Sequence, residues 1–141
     1  MEDIELVFDP LPSEAMSRLV LDNIIAHNVA RTGIDTSHAV NFFLKNPRGE
    51  ILASLIGYVW GGWLHVNLLW VSAVLRGQRQ GTRLMDAAEA MAIERGATAA
   101  TLETFSFQAR GFYEKRGYSV VGQLDDYPPG HTKFFLRKTL V

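Results

Sequence analysis

Residues 63–71 read Trp-Leu-His-Val-Asn-Leu-Leu-Trp-Val, an apolar run of strand length, and they lead through Arg76, Gly77, Gln78, Arg79, Gln80, Gly81 and Thr82 into a helical repeat. A strand, a glycine-bearing turn and a helix in that order constrain the fold more than any other stretch. A helix that begins there leaves its first backbone N–H groups without intrahelical partners, and its dipole favours an anion beside them. The stretch therefore predicts an α/β architecture with an anion site at a helix N-terminus. Taken alone, the turn fits equally well a tight connection that binds nothing.

The remaining chain bounds which anion and which chemistry. At 141 residues the length suits one domain, expected over residues 1–141, with a core that needs no staples. A net charge of -1 gives no sign of a nucleic-acid or membrane surface. With no cysteine there is no thiolate nucleophile, no disulfide framework and no cysteine-based zinc site, and no metal is expected. The start, Met1 to Glu5, is acidic and lacks the basic-then-apolar order of a signal peptide, and the apolar runs are too short to span a bilayer. The expectation is a soluble, cytoplasmic protein.

In chain order, residues 4–8 are a short apolar run closed by Asp9, Pro10 and Pro12, read as a first strand at a sheet edge. Ser13 opens a helix in which Met16, Leu19, Val20, Ile24 and Val29 fall near one face, and Gly33 ends it. Residues 36–45 and 51–60 form a hairpin around Asn46, Pro47 and Gly49, and Gly61 and Gly62 turn the chain into residues 63–71, giving a three-stranded meander. From Gly81 to Arg95, Leu84, Met85, Ala88, Met91 and Ala92 recur at helical spacing before a left-handed cap at Gly96. A strand over 99–105, a helix over 108–116, a strand over 118–122, a loop with two prolines and a strand over 132–138 complete the chain. That order makes a mixed α/β sheet with one helical crossover at its centre.

The order of elements, the Leu69-Trp70-Val71 strand end, the Arg76 to Gly81 turn and the run Phe112-Tyr113-Glu114-Lys115-Arg116-Gly117-Tyr118 together resemble the GCN5-related N-acetyltransferase (GNAT) superfamily over nearly the whole chain. Two motifs in the right order are far more specific than either alone. The resemblance implies a central mixed, mostly antiparallel sheet, splayed in the middle with helices on both faces, that binds acetyl-CoA between the splayed strands. It implies direct transfer of the acetyl group to an amine, with no covalent enzyme intermediate and no metal. The family's phosphate motif is Gln or Arg, two residues, Gly, one residue, then Gly or Ala. Arg76 and Gly81 match it, and Arg79 replaces the middle glycine. A right-handed backbone at Arg79 would leave its N–H facing the pyrophosphate, and its guanidinium can add a charge-assisted contact to a CoA phosphate.

By the same resemblance, the cofactor residues are the turn itself, Arg76, Gly77, Gln78, Arg79, Gln80, Gly81 and Thr82, together with the backbone of Leu69 and Val71, Ser106 in place of a common asparagine, and Tyr113. Tyr113 stands where the family commonly carries the acid that protonates the departing thiolate. An alkylamine with a pKa of about 10 is mostly protonated near neutral pH, so a base or water relay helps directly. His65 is one candidate base, since imidazole titrates near working pH. Asn67, two residues on and read as sharing its face, can only orient water or substrate. Glu103, on the strand after the first crossover helix, is the rival.

The acceptor pocket is the least readable part. The loop that carries Asp125, Asp126, Tyr127 and His131 joins the last two strands, which by the resemblance flank the acceptor, and its two aspartates and Tyr127 suit a cationic amine and equally a solvated surface loop. Trp60, Trp63 and Trp70 could be specificity walls, but aromatic residues on central strands are more often core. The reading is an acetyl-CoA-dependent N-acetyltransferase acting on a primary amine of a small molecule or peptide. Its alternative is a CoA-binding module of the same fold without catalysis. Exposed edge strands suit a homodimer.

Overall fold

The computed structural model describes residues 2–141 and divides into two compact units, the first ending at Asp35 and the second spanning Thr36–Val141. The first unit holds one long helix, α1, over Glu14–Thr32. Its ends follow from local chemistry. The Ser13 hydroxyl accepts the Met16 N–H at 3.2 Å, and Gly33 adopts a left-handed φ of 72° and donates its N–H to the Val29 carbonyl. The strand expected over residues 4–8 is not formed. A strand exists by pairing, and no pairing of this run is formed among the described residues.

The second unit contains β1 (His38–Lys45), β2 (Ile51–Trp60), β3 (Trp63–Val71), α2 (Gln80–Glu94), β4 (Ala99–Phe105), α3 (Arg110–Lys115), β5 (Ser119–Asp125) and β6 (Thr132–Thr139). A short 3-10 turn over Ala73–Leu75, absent from the sequence reading, links β3 to the glycine turn. The sheet runs β1-β2-β3-β4-β6-β5, antiparallel throughout except for the parallel pair β3–β4, which α2 connects. Six strands, one parallel junction and helical crossovers make the mixed α/β fold that the element order implies. The helix over 80–94 falls within a residue of its expected bounds. The last helix is shorter than expected, and β5 runs three residues further, to Asp125, because β6 pairs with it to its end.

One face of the sheet carries the core. Val40 of β1, Ala53, Leu55 and Val59 of β2, Leu64 and Val66 of β3, Ala100 and Leu102 of β4 and Phe134 and Leu136 of β6 pack against Leu84, Met85, Ala88 and Ala92 of α2 and Tyr113 of α3. Alternation along the regularly paired stretches leaves Tyr58, His65, Thr101, Glu103 and Phe135 on the opposite face.

Candidate active site

The site is built where β3 and β4 part. Their parallel pairing covers only Trp63–Val66 against Ala99–Leu102. Beyond it, residues 68–71 and 103–105 are bonded on their outer sides to β2 and β6, and no pairing joins their inner edges. The divergence starts at a bulge. Val66 pairs with Gly57 and Leu68 with Ile56, so Asn67 is an extra residue without a cross-strand partner, and an inserted residue bends its strand. Gly57 is required there because a Cβ would lie 2.6 Å from the His65 carbonyl oxygen. Its N–H is taken up at 3.3 Å by the Asn41 side-chain oxygen. The bulge also corrects the expected alternation. Leu68 and Trp70, paired with Ile56 and Ser54, follow His65 on its face, and the two-residue step from His65 to Asn67 does not carry the pattern forward.

On the core side, the turn after β3 delivers the chain to α2. The Arg76 Nε donates to the Val71 carbonyl at 3.3 Å and the Gln78 side-chain amide donates to the Val74 carbonyl at 3.1 Å, so both side chains brace the turn. Arg79 caps α2 with φ 61° and ψ 23°, and no side chain caps the helix. Of the backbones open to Arg79, the right-handed one is not the one adopted. Reversing from the 3-10 turn into α2 needs the left-handed conformation that a glycine adopts freely, and Arg79 holds it at a cost of roughly 1–2 kcal/mol. The first turn of α2, with Gln80, Gly81 and Thr82, presents the N–H groups that a helix start leaves unpaired. Gly81 permits close packing, since a Cβ there would meet the Phe112 ring at 3.4 Å. Leu69 and Val71 pack half-buried against the core cluster.

Between α2 and α3 lies a cleft of about 570 Å³ whose rim includes Arg79, Thr82, Phe112, Lys115 and Lys138. Its floor is a charge cluster that sequence reading did not find. Glu89, buried on α2, accepts from the Tyr118 hydroxyl at 3.1 Å, from Arg116 at 3.1 Å and from Lys138 at 2.6 Å, while Arg116 also reaches Asp86 at 2.9 Å. The Arg116 Nε, also buried, has no hydrogen-bond partner among the described residues. Tyr113 lies beside this cluster, 6% exposed, with its ring edge-on to Phe112 and Tyr118. Burial pushes its phenol up to about 12, and Tyr118 is raised further by burial and by Glu89.

The opposite face of the sheet presents His65 edge-on to Tyr58, ring centroids 5.3 Å apart, with its Nδ1 buried and without a hydrogen-bond partner among the described residues. Glu103 is ion-paired to Lys133 at 2.9 Å, and this hydrogen bond raises the Lys133 pKa. The Lys133 ammonium lies 5.0–5.7 Å from the rings of Tyr127, Phe135 and Phe105. Phe105 stacks on Phe107, and Phe107 meets the His131 ring at 5.0 Å. Ser106 is drawn into the same cluster: its hydroxyl oxygen accepts the Thr132 N–H at 3.0 Å and lies 3.5 Å from His131 Nδ1.

The structure therefore gathers the singled-out residues into two groups on either side of one splay. The turn residues and Tyr113 belong to the core side, and His65, Glu103, Tyr127 and His131 to the other, with Ser106 joining His131. Lys133, Phe105 and Phe107 complete the second group and were missed. The alternation of Glu103, Phe105 and Phe107 with smaller residues was the available signal for the two rings. Lys133 had none, since its partner lies 30 positions away in a strand whose register no local pattern fixes. Among the described residues, no group of histidine, aspartate and glutamate side chains is arranged to hold a metal ion, and no helix is long and apolar enough to cross a membrane.

Comparison with known proteins places the fold among acetyltransferases. The profile of the acetyltransferase (GNAT) family matches residues 10–118. A blasticidin-S acetyltransferase of Streptomyces morookaense is 48% identical over 94 residues, covering 66% of this chain and 69% of that protein. A crystal structure from Agrobacterium tumefaciens superposes with a TM-score of 0.90 at 28% identity, covering 96% of this chain and 99% of that one. A crystal structure of an acetyltransferase from Bacillus cereus gives 0.79 at 28% identity, over 94% and 97% of the two chains.

Proposed function

The chain belongs to the GNAT family of acetyltransferases, and on that premise we propose that it transfers an acetyl group from acetyl-CoA to a primary amine of a small cationic molecule. One observation carries the reading: the splay between β3 and β4 opens toward the α2 N-terminus on one side and toward His65 and Glu103 on the other. A slot with an anion site at one mouth and candidate bases at the other suits a thioester entering from the first and an amine from the second.

On the cofactor side, the amides of Gln80, Gly81 and Thr82 and the Arg79 guanidinium are assigned to the pyrophosphate. The cleft beside them, rimmed by Arg79, Lys115 and Lys138, fits a polyanionic nucleotide. The unpaired inner backbone of Leu69 to Val71 is assigned to the pantetheine arm and to the carbonyl oxygen as negative charge develops on it. The amine nitrogen attacks the thioester carbon, the C–N bond forms and the C–S bond breaks. The amine's proton leaves to a base, and the thiolate is met by the Tyr113 hydroxyl, which burial keeps protonated.

His65 is the better base of the two candidates. Its Nδ1 has no hydrogen-bond partner among the described residues, whereas the Glu103 carboxylate is engaged by Lys133 at 2.9 Å. Glu103, Tyr127 and His131, with the adjacent aromatic rings, then form the wall that receives the acceptor's cationic portion. The relative named for blasticidin S supports a small-molecule acceptor of antibiotic type. Thiol release from acetyl-CoA, followed over a panel of amines that includes blasticidin S, polyamines, aminoglycosides and lysine peptides, tests the reading. Turnover is expected with a small cationic amine. In its pH profile the acidic limb disappears in His65→Gln and persists in Glu103→Gln. Absence of turnover with every amine, despite measured CoA binding, would leave a binding module in place of an enzyme.

A further inference from the structure

Two of the carboxylates in the Thr36–Val141 unit are ion-paired in different ways. Glu89 is locked on α2, because the Tyr118 hydroxyl, Arg116 and Lys138 all donate to it. Glu103 has one such partner among the described residues, the Lys133 ammonium at 2.9 Å, and its second oxygen is left to accept from something else. The β4–β6 register sets the surroundings of this pair. Glu103 lies opposite Phe135 and Phe105 lies opposite Lys133, so the four side chains form a square with the charges on one diagonal and the rings on the other. Tyr127, from the loop between β5 and β6, adds a third ring, 5.8 Å from that of Phe105 and 5.0 Å from the ammonium. With Phe135 at 5.4 Å and Phe105 at 5.7 Å, the ammonium sits among three rings and a carboxylate. Surroundings of that kind recognise organic cations, since a ring face attracts positive charge within about 6 Å and the carboxylate neutralises it. The cage is complete, and the chain's own lysine fills it.

We propose that Lys133 holds the place of a ligand cation, and that the acceptor carries a second cationic group which displaces the Lys133 ammonium from Glu103 and the three rings. The proposal deepens the acetyltransfer reading, which it needs for the fate of the acceptor's primary amine and not for the cage. The spacing suits a molecule with two charges. Thr101 pairs with His65 across the parallel junction, and Glu103 follows two residues along β4 on the same face. The cage therefore stands about 7 Å from His65 along the strand direction, a length that a five-carbon diamine spans. Lys133 is suited to leave. Its ammonium is a compact charge on a flexible four-carbon stem, and it gives up a single carboxylate on withdrawing into water. The hydrogen bond to Glu103 raises its pKa, so it competes as a cation and does not serve as an acceptor amine itself. Two like charges repel within one cage, so entry of one expels the other. The result is selection. An amine whose only charge is the reacting nitrogen gains nothing from the cage once that nitrogen is at His65, and Lys133 keeps Glu103 paired until a second cation arrives.

The probe is 1,5-diaminopentane, titrated into the full-length protein by calorimetry. Lys133→Met removes the competing charge and keeps the stem, so it is expected to bind the diamine roughly fivefold more tightly than wild type. The gain should persist at about 0.5 M salt, where long-range attraction is screened. Lys133→Arg restores a cation and should bind no more tightly than wild type, and Glu103→Gln should weaken binding roughly tenfold. Displacement is read directly in protein carrying ¹³C-lysine. The Lys133 ε-methylene signal, assigned by its loss in Lys133→Arg and shifted by the three rings, should move toward the position of a solvated lysine as the diamine saturates. In turnover, pentylamine, which has the same chain and no second charge, should show kcat/KM at least tenfold below the diamine. Lys133→Met should lower KM for the diamine with kcat within about twofold. Failure of the diamine to bind, an unmoved Lys133 signal at saturation, a Lys133→Met variant that binds no more tightly, or pentylamine used as well as the diamine would each overturn the proposal. The calorimetric and spectroscopic readouts require no turnover. Displacement of Lys133 without acetyl transfer to any amine would therefore remove the activity and leave the cage standing, and transfer with an unmoved Lys133 would do the reverse.

Discussion

At the scale of single residues, Tyr113 carries the most specific expectation. Its phenol is held among Phe112, Tyr118 and the core cluster, and burial pushes it up to about 12 from the usual 10. The raised value favours the neutral form, so the hydroxyl keeps its proton throughout the working range and is lost as a donor only when pH rises through about 12. Removing the hydroxyl without the ring, in Tyr113→Phe, is expected to lower kcat by about 100-fold, the lower end for a proton donor in the transition state. KM for acetyl-CoA should stay within about twofold, because the ring's packing is retained. The sign of the shift gives a second check: measured between pH 6 and 10, the wild-type profile should show no alkaline limb that Tyr113→Phe abolishes. An alkaline limb lost with the hydroxyl would assign a much lower pKa to this group and contradict its burial.

At the scale of elements, the turn into α2 balances backbone strain against charge. Arg79 sits at φ 61° where glycine is at ease, so Arg79→Gly removes a cost of roughly 1–2 kcal/mol, offset by about 0.5–1 kcal/mol of unfolded-chain entropy. A melting temperature equal to or a few degrees above wild type is expected. Arg79→Ala keeps the strain and discards only the guanidinium, and it should raise KM for acetyl-CoA several-fold at low salt, with the difference shrinking as ionic strength rises. An unchanged KM at both salt levels would remove the guanidinium from cofactor binding. The position of this turn was legible from residues 63–85, because strand length, glycines and helical periodicity are all local signals. Its handedness at Arg79 was not, since the side chain departs from what the backbone prefers. The same contrast runs through the chain. α2 and the meander strands were readable from spacing, while the bulge at Asn67 arises from the partner strand and is invisible to a period-two pattern. Residues 4–8 have a strand's composition, and no pairing of them is formed among the described residues. Within the candidate site, Tyr113, His65 and Glu103 were singled out by motif and strand position, and their catalytic roles are proposals. Lys133 and the Glu89 cluster depend on contacts 27 to 49 positions apart, which only the folded sheet brings together.

At the scale of the whole molecule, Glu89 is the tie between the layer of helices and the far end of the sheet. From α2 it accepts hydrogen bonds from Arg116 and Tyr118 beyond α3 and from Lys138 on β6, so one carboxylate joins three chain segments. The partners are shielded, with side-chain exposures of 11% for Glu89, 13% for Arg116 and 22% for Lys138. Breaking such a cluster from one side strands the opposite charges, which costs more than the cluster contributes to stability relative to an apolar replacement. Glu89→Gln keeps the shape and removes the charge. It is expected to destabilise by about 2–4 kcal/mol, somewhat below the full range for buried pairs because Lys138 retains access to water. For a chain of this length that is a fall in melting temperature of roughly 5–15 °C. The tie also fixes a pH dependence. Tyr118 is raised by burial first and by Glu89 second, so its contribution is fully present below the unfolded value of 10 and is lost as pH climbs toward the higher folded value. Denaturant unfolding of wild type should therefore show a stability loss between about pH 10 and 11.5 that Tyr118→Phe lacks. Identical alkaline slopes in the two proteins, or a Glu89→Gln variant as stable as wild type, would mean that the helices are held to the sheet by apolar packing alone.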